Sequence, residues 1–562
     1  MPRRETGEGR RAEAAVLGAL ADSAERAREL RAESTTNPQR SETRWRGASA
    51  IIRSLSSWMP TLGSGRSDLP RNERDRLSAR SYDCFRNQLI GRAAITRLRT
   101  SVVGVGIMPH ADVDADLLGI SDEQADELNT LINAEWNLYA YNPTEVDIEG
   151  GRDFPGLQTL AFTAALLGGD CFALTPAVPR AGGIYDLKLQ LVDAARVTNP
   201  QDATNTDQLI DGVQLEPGGR PVVVYVRDRH PADSTGLANW TPERVFAESG
   251  NRRVLHITAD RDQIGMVRAA PFLAPIIEPL QTLEVYARAE LAAAVISAMF
   301  TVFLEHEAQE LDEQGNPLPV VAGQTTKEGY QSVSMGHGAI HDLEPGTKAS
   351  FANPSRPNSQ YDPFFTAAVR QIGAAIEIPG DELLLAYNAN YSAARASMLQ
   401  AWRAYLMRRQ TLVQQLCAPF RAIWFQEAVA RGRIPVQGFE DPARRAAYMN
   451  AIWTGPARGA MDETREAAAA EARIRTGISN ETIETAASTG EDWRAVFKGR
   501  VRELRTRERY NAPMPAAPGA GSNGMPAQAQ PFRGGQPDPD DAPPREPGSA
   551  DDEEARTEPD AE

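Results

Sequence analysis

The chain has 562 residues and a net charge of −16, with 41% apolar and 24% charged residues. That length allows two to four domains of ordinary size. The charge argues against binding nucleic acid as a bulk polycation, since such affinity comes from neutralising phosphates.

Residues 1–74 read as a polar, Arg/Glu-rich arm with a short helix around "AEAAVLGALADSAERARELRAE". The arm lacks the apolar run of a secretory signal. Between Met1 and His110 there are 20 Arg and 12 acids. Because Lys188, Lys327, Lys348 and Lys498 are the only lysines of the chain, the arginine excess reads as coding bias, not as recognition. Two helices follow, with an apolar stripe of Leu89, Ile90, Ala93, Ala94, Ile95 and Leu98, ending at "VVGVGIMP". Ser121 caps an amphipathic helix, with Asp122 and Glu123 at its positive dipole end and Leu128, Leu131, Ile132 and Trp136 facing inward. "DFPGLQTLAFTAALLGGDCFAL" is a helix that stops at its glycine pair and gives way to a strand. From 171 to 260, "DLKLQLVDAARV", "IDGVQLEPGGRPVVVYVRD" and "RRVLHITAD" read as strands.

Residues 271–307 read as one helix with Pro275 and Pro279 in its first turns. Residues 308–360 read as a β- or loop-rich module, and "YDPFFTAAVRQIGAAIEI" (361–378) as a helix stopped by Pro379 and Gly380. The two helices form an antiparallel pair with the module at its tip. The alanines of the first helix suit close packing, and neighbouring copies in a ring could bury its outer side. After the uncharged loop 388–391, with Ser392 as N-cap, a helix runs to about residue 431. Leu399, Trp402, Leu406, Val413, Leu416, Phe420 and Ile423 form its buried stripe, and Arg395, Arg403, Arg408, Arg409 and Arg421 lie elsewhere. Pro419 cannot donate to residue 415, which predicts a kink there. Residues 456–508 are helical and charged. From 511 onward, 11 acids and 3 arginines sit in a segment too poor in apolar residues to fold. The whole reads as α+β.

No catalytic constellation emerges. Cys84, Cys171 and Cys417 form no CxxC, so neither a disulfide framework nor a zinc site is expected, and a reducing compartment fits. "LAAAVISAMFTVFL" is too short to span a bilayer, so no membrane partner is expected. "EPGTKAS" has the wrong spacing for a phosphate loop. His337 and His341 lie in "MGHGAIHDL", a turn-rich stretch without the glutamate of HExxH. His256 and Asp260 lack a nucleophile elbow, and Cys171 sits among apolar neighbours as a buried thiol. No metal and no cofactor are expected.

The stretches "DFPGLQTLAFTAALLGGDCFAL", "APFLAPIIEPLQTLEVYARAELAAA", "LEPGTKASFANPSRPNSQYDPFFTAAVRQIGAAIEIPGDELL", "NYSAARASMLQAWRAY" and "WTGPARGAMDETREAAAAEARIRTGIS", in this order, resemble the lambda-type portal proteins of tailed phages and prophages. The resemblance covers roughly residues 75–505. It implies a virion protein, assembled in the bacterial cytoplasm, that forms a ring of about twelve subunits at one capsid vertex. It divides the chain into an N-terminal arm (1–74), wing (75–270), first stem helix (271–307), clip (308–360), second stem helix (361–378), tunnel loop (379–391), long kinked helix with return to the wing (392–455), crown (456–510) and acidic tail (511–562). Implied partners are double-stranded DNA in the channel, the terminase large subunit, the major capsid protein and scaffold, and head-tail connector or head-completion proteins. Asn388, Asn390, Tyr391, Ser392 and Arg395 are the implied channel residues, Arg395 facing backbone phosphates. Lys348, Phe351 and Arg356 are the implied docking residues of the clip. No catalysis is implied, because the ATPase is a separate terminase. The alternatives are a channel-less minor head or adaptor protein, and an enzyme fused to head machinery; the enzyme would need a carboxylate cluster or triad that the sequence does not offer.

Overall fold

The computed structural model describes residues 63–67, 69–233, 238–298, 302–306, 347–351, 360–387, 391–459 and 462–512, together with Ser57. Residues up to Val496 form one compact unit, and a second begins at Phe497.

In the first unit, α1 (Arg71–Asn87) and α2 (Leu89–Leu98) meet at Gln88, whose extended backbone breaks the helix. The Gln88 side chain donates to Gln281 Oε1 at 2.8 Å. Ala94, Ile95 and Leu98 are buried as the stripe predicts, but Leu89, at the restart, is 79% exposed. A π-helical turn, Arg99–Val103, extends α2. Gly104, at φ 56, closes it, and a Cβ there would collide with Pro456. The glycines of "VVGVGIMP" thus serve a turn packed against a distant segment. β1 (Met108–Ala111) pairs antiparallel with residues 451–454, so a late segment of the chain returns to this point.

α3 (Asp122–Ala140) starts in a capping box: Ser121 Oγ accepts from the Gln124 N–H at 3.3 Å, and Gln124 Oε1 accepts from the Ser121 N–H at 3.1 Å. α4 (Phe154–Gly168) is capped by Asp153 and ends at Gly169. That glycine has φ 91 and lies against the Ala269 carbonyl, where no side chain fits. β2 (Asp170–Leu174) then runs between β3 (Gln190–Asp193) and β8 (Val254–Thr258), both antiparallel to it. A second, four-stranded sheet has the order β4 (Leu209–Ile210), β5 (Val213–Leu215), β6 (Pro221–Arg227), β7 (Trp240–Arg244). Phe172, Val192, Val213, Val224, Val226 and Val254 share one apolar cluster between the sheets.

One buried ion pair ties the two sheets together. Arg268 holds Asp170 with two bonds, of 2.5 and 2.9 Å, and donates to the carbonyls of Ala194, Val197 and Asp211. Burial alone would raise the Asp170 carboxyl, yet Arg268 and His256 hold it well below the carboxylate range. His256 thus bonds Asp170 at 3.1 Å and Arg261 at 3.1 Å, while Asp260 pairs with Arg408. The His256/Asp260 half-triad does not form. Cys171 is buried, and burial pushes its thiol far up.

The first expected stem helix is shorter than its reading. α5 spans Ile277–Ala298, and residues 302–306 are a strand, β9 (Val302–His306), paired antiparallel with β10 (Thr347–Phe351). Val302 and Phe303 suit a strand, but the partner that makes them one arrives only at Thr347. α6 (Tyr361–Ala375) packs on α5 through Tyr286, which stacks on Tyr361 and meets Phe364 edge-on. α6 also ends earlier than expected, at Ala375, and Pro379 starts a new turn, α7 (Gly380–Leu384). The segment expected to be loop from residue 379 is therefore partly helical.

α8 (Tyr391–Leu412) begins one residue before Ser392, so Ser392 lies inside the helix and is not its N-cap. The expected break before Pro419 is a π-helical turn, Val413–Cys417, leading into α9 (Ala418–Ala430). The wider turn accommodates the N–H that Pro419 lacks. Leu406 is 43% exposed, whereas Arg408, Arg409 and Arg421 are buried, so the expected division of that helix into a leucine side and an arginine side fails. Deeper in, Trp424 meets Trp136 at 4.9 Å, and Phe420 stacks on Phe154 at 5.3 Å. This aromatic cluster threads the long helix through the core. α10 (Pro442–Met449) and β11 (Ala451–Thr454) follow, then α11 (Glu463–Arg475), α12 (Glu481–Thr489) and α13 (Trp493–Arg509).

Candidate functional site

The site singled out by sequence lies between α6 and α8. Its entry is built from alternating anchors: Ile376 and Ile378 are buried, and Glu377 between them is turned to φ 59. A non-glycine residue in that region is strained unless its surroundings hold it. The side chain is held by Arg408, which reaches Glu377 Oε2 at 3.4 Å and Asp260 Oδ2 at 2.8 Å. The guanidinium also lies 4.7 Å over the Phe272 ring. One buried arginine therefore connects the loop entry, the segment after β8 and the approach to α5.

Leu383 of α7 is buried, while Leu385, at φ 54, and Tyr387 are about 60% exposed. The segment leaves its anchor at Leu383 and turns outward. Glu382 lies near Tyr405 and Arg97; burial raises its carboxyl above the ordinary range, with those two groups opposing the shift. An open cleft of about 760 Å³ separates the end of α6 from α8, with Arg370, Glu377, Asp381, Gln400, Arg403 and Met407 on its walls.

Asn388 and Asn390 lie outside the described residues. Tyr391 opens α8, and Ser392 is exposed one residue on. Arg395 is half-buried and pairs with Glu466 of α11 at 3.1 Å. Glu466 also takes Arg458 at 2.6 Å. An arginine already paired with a carboxylate is less positive toward any third partner. Lys348 and Phe351 sit in β10, opposite Glu305 and Val302, and Arg356 lies outside the described residues, as do His337 and His341.

The roles of Arg408, Glu377 and Glu466 escaped the sequence reading, which set Arg408 off the buried stripe. Ala401, Tyr405, Arg408 and Leu412 recur at helical spacing on one buried stripe, and an arginine on such a stripe is a signal for a buried ion pair. Glu466 carried no local signal, because its partners lie on other elements. Arg409 acts differently: it donates to the carbonyls of Ser101, Val102 and Pro456, each at 3.0 Å, and so satisfies the C-terminal end of the π-helical turn. Burial lowers its pKa to about 10. Among the described residues, no group of three or more His, Cys, Asp or Glu could hold a metal, and no helix is long and apolar enough to cross a membrane.

Residues 52–409 match the family model described as phage portal protein, lambda family. Portal protein B of Escherichia phage lambda is 24% identical over 492 residues, covering 84% of this chain and 91% of the relative. The portal protein of Escherichia phage N15 is 24% identical over 484 residues, covering 82% and 90%. Among solved structures, a chain of the neck of a native GTA particle, computed with C12 symmetry, matches at 13% identity and a TM-score of 0.36, covering 69% of this chain and 96% of that one.

Proposed function

The chain belongs to the lambda family of phage portal proteins, and from that premise we propose that about twelve copies close into a ring around a double-stranded DNA channel at one capsid vertex. The ring admits DNA during packaging, retains it and releases it on ejection. The observation that carries this reading is the extent of the family match: residues 52–409 take in both helical arms, the loop and most of α8.

Two physical features support it. Val285, Leu291 and Val295 of α5 and Phe364 of α6 are each about half exposed or more in the single chain. A neighbouring copy would bury them, at about 25 cal/mol per Å² of apolar surface. At the loop, the nearest cation of α8 is already neutralised: Arg395 is engaged by Glu466, and 388–391 carries no charge. DNA can slide past such a segment, because little binds its phosphates firmly.

On this reading Asn388, Asn390, Tyr391 and Ser392 meet the DNA and Arg395 stands behind them. The clip, with Lys348, Phe351 and Arg356, docks the terminase large subunit and later the head-completion proteins. The outer wing meets the major capsid protein and scaffold. The portal family is structural, so the work of translocation comes from the terminase. The protein resides in the virion and assembles in the host cytoplasm.

Negative-stain microscopy of the purified chain should show annular particles of about a dozen copies; monodisperse monomers under capsid-assembly conditions count decisively against the ring. Deleting 388–391 should leave procapsids intact and impair packaging or retention. Full, stable heads from that variant would remove the loop from the channel.

A further inference from the structure

The second compact unit opens on the C-terminal part of α13. From Phe497 to Arg509 that helix holds six cations (Lys498, Arg500, Arg502, Arg505, Arg507 and Arg509) against Glu503 and Glu508. Lys498, Arg502, Arg505 and Arg509 follow one another at alternating helical spacings, i to i+4, i+3 and i+4. At 100° per residue they fall within an arc of about 60°, a single stripe running about 16 Å along the helix. All four are exposed. Phe497, Val501 and Leu504 lie on a different face, and none of the three is buried.

A row of like charges this dense repels itself and attracts any polyanion, and the same chain carries one. Between Asp538 and Glu562 there are eleven acids and two arginines, including the block Asp551, Asp552, Glu553 and Glu554. The chain from Arg509 to Asp538 can reach at most about 100 Å. That is several times the length of the stripe, so nothing in the covalent connection keeps the acids from it. Two groups joined this way meet at an effective concentration in the millimolar range, without needing high intrinsic affinity.

We propose that the acidic segment 538–562 docks on the Lys498, Arg502, Arg505 and Arg509 stripe and shields it from DNA. The segment imitates a phosphate backbone in charge alone, and DNA must displace it to reach the arginines. The stripe is then a latent DNA-binding surface, masked by its own chain until DNA at high local concentration competes for it. This does not rest on the channel assignment: it concerns one helix and one segment, and a monomer would show it as well as a ring.

The test is fluorescence anisotropy with a labelled duplex of about 20 base pairs at about 50 mM salt. The full chain is compared with a full-length variant in which the eleven acids from Asp538 to Glu562 are replaced by their amides. The variant should bind about tenfold more tightly, and the gain should shrink toward zero at about 200 mM salt. Adding Arg502→Gln, Arg505→Gln and Arg509→Gln to the variant should abolish the gain. A synthetic peptide of residues 536–562 should reverse it in trans. Equal affinity of the full chain and the amide variant overturns the proposal. So does a gain that survives the three arginine substitutions, which would put the DNA on another surface, or a peptide without effect.

Discussion

Arginine serves opposite purposes in two helices of this protein. On the long helix of α8 and α9, Arg408, Arg409 and Arg421 are buried, and each is committed to named oxygens: Asp260 and Glu377, the carbonyls of Ser101, Val102 and Pro456, and the carbonyl of Met449. On α13, Arg500, Arg502, Arg505 and Arg509 stand in solvent. Helical propensity hardly separates the two cases. What differs is whether backbone carbonyls or carboxylates converge on the guanidinium from other elements. A planar fork of five donors suits such convergence, and once buried it becomes costly to remove because its acceptors stay behind.

The contrast breaks most sharply at Arg409. Arg409→Ala should lower unfolding free energy by about 2 kcal/mol in urea titrations, since the buried carbonyl of Val102 and the part-buried carbonyls of Ser101 and Pro456 lose their donor. Arg409→Lys should recover only part of that loss, because one ammonium cannot span the three acceptors. A wild-type midpoint in Arg409→Ala would show that the carbonyls find water and that burial is not what makes this arginine structural.

Arg408 should give a smaller effect on stability and a larger one on local order. Its acids Asp260 and Glu377 are each about half exposed, so solvent screening limits Arg408→Gln to about 1 kcal/mol. Limited proteolysis should cut the 377–391 segment faster in Arg408→Gln, because Glu377 then loses the contact that offsets its positive φ. Unchanged cleavage would assign the strain of Glu377 to the buried flanks Ile376 and Ile378 alone. The smallest effect belongs to α13: Arg505→Ala should leave the urea midpoint of the full chain where it is, and a clear loss of stability would mean that this arginine too has acquired a structural partner.

Much of the architecture was legible because it is written locally. Ser121 at a helix start, the glycine pair after α4 and Pro419 inside a long apolar stripe each act within one or two turns of the chain, and the elements start, stop or widen there. The reading went wrong where a distant partner decided. Residues 302–306 continue a helical pattern, yet 347–351 claims them for a strand. Pro379 looked like a stop, yet buried contacts at Gly380 and Leu383 fold the next turn.

Residue type and short spacing alone were enough for most of the helices and strands, the uncharged character of 388–391, the concentration of acids between Asp538 and Glu562 and the resemblance to portal proteins. Which arginines are buried, what holds Glu377 at its positive φ and where a late strand rejoins the early chain at β1 came from the folded arrangement. Those outcomes depend on acceptors brought together from segments far apart in the chain, and no local pattern encodes which oxygen a guanidinium will find.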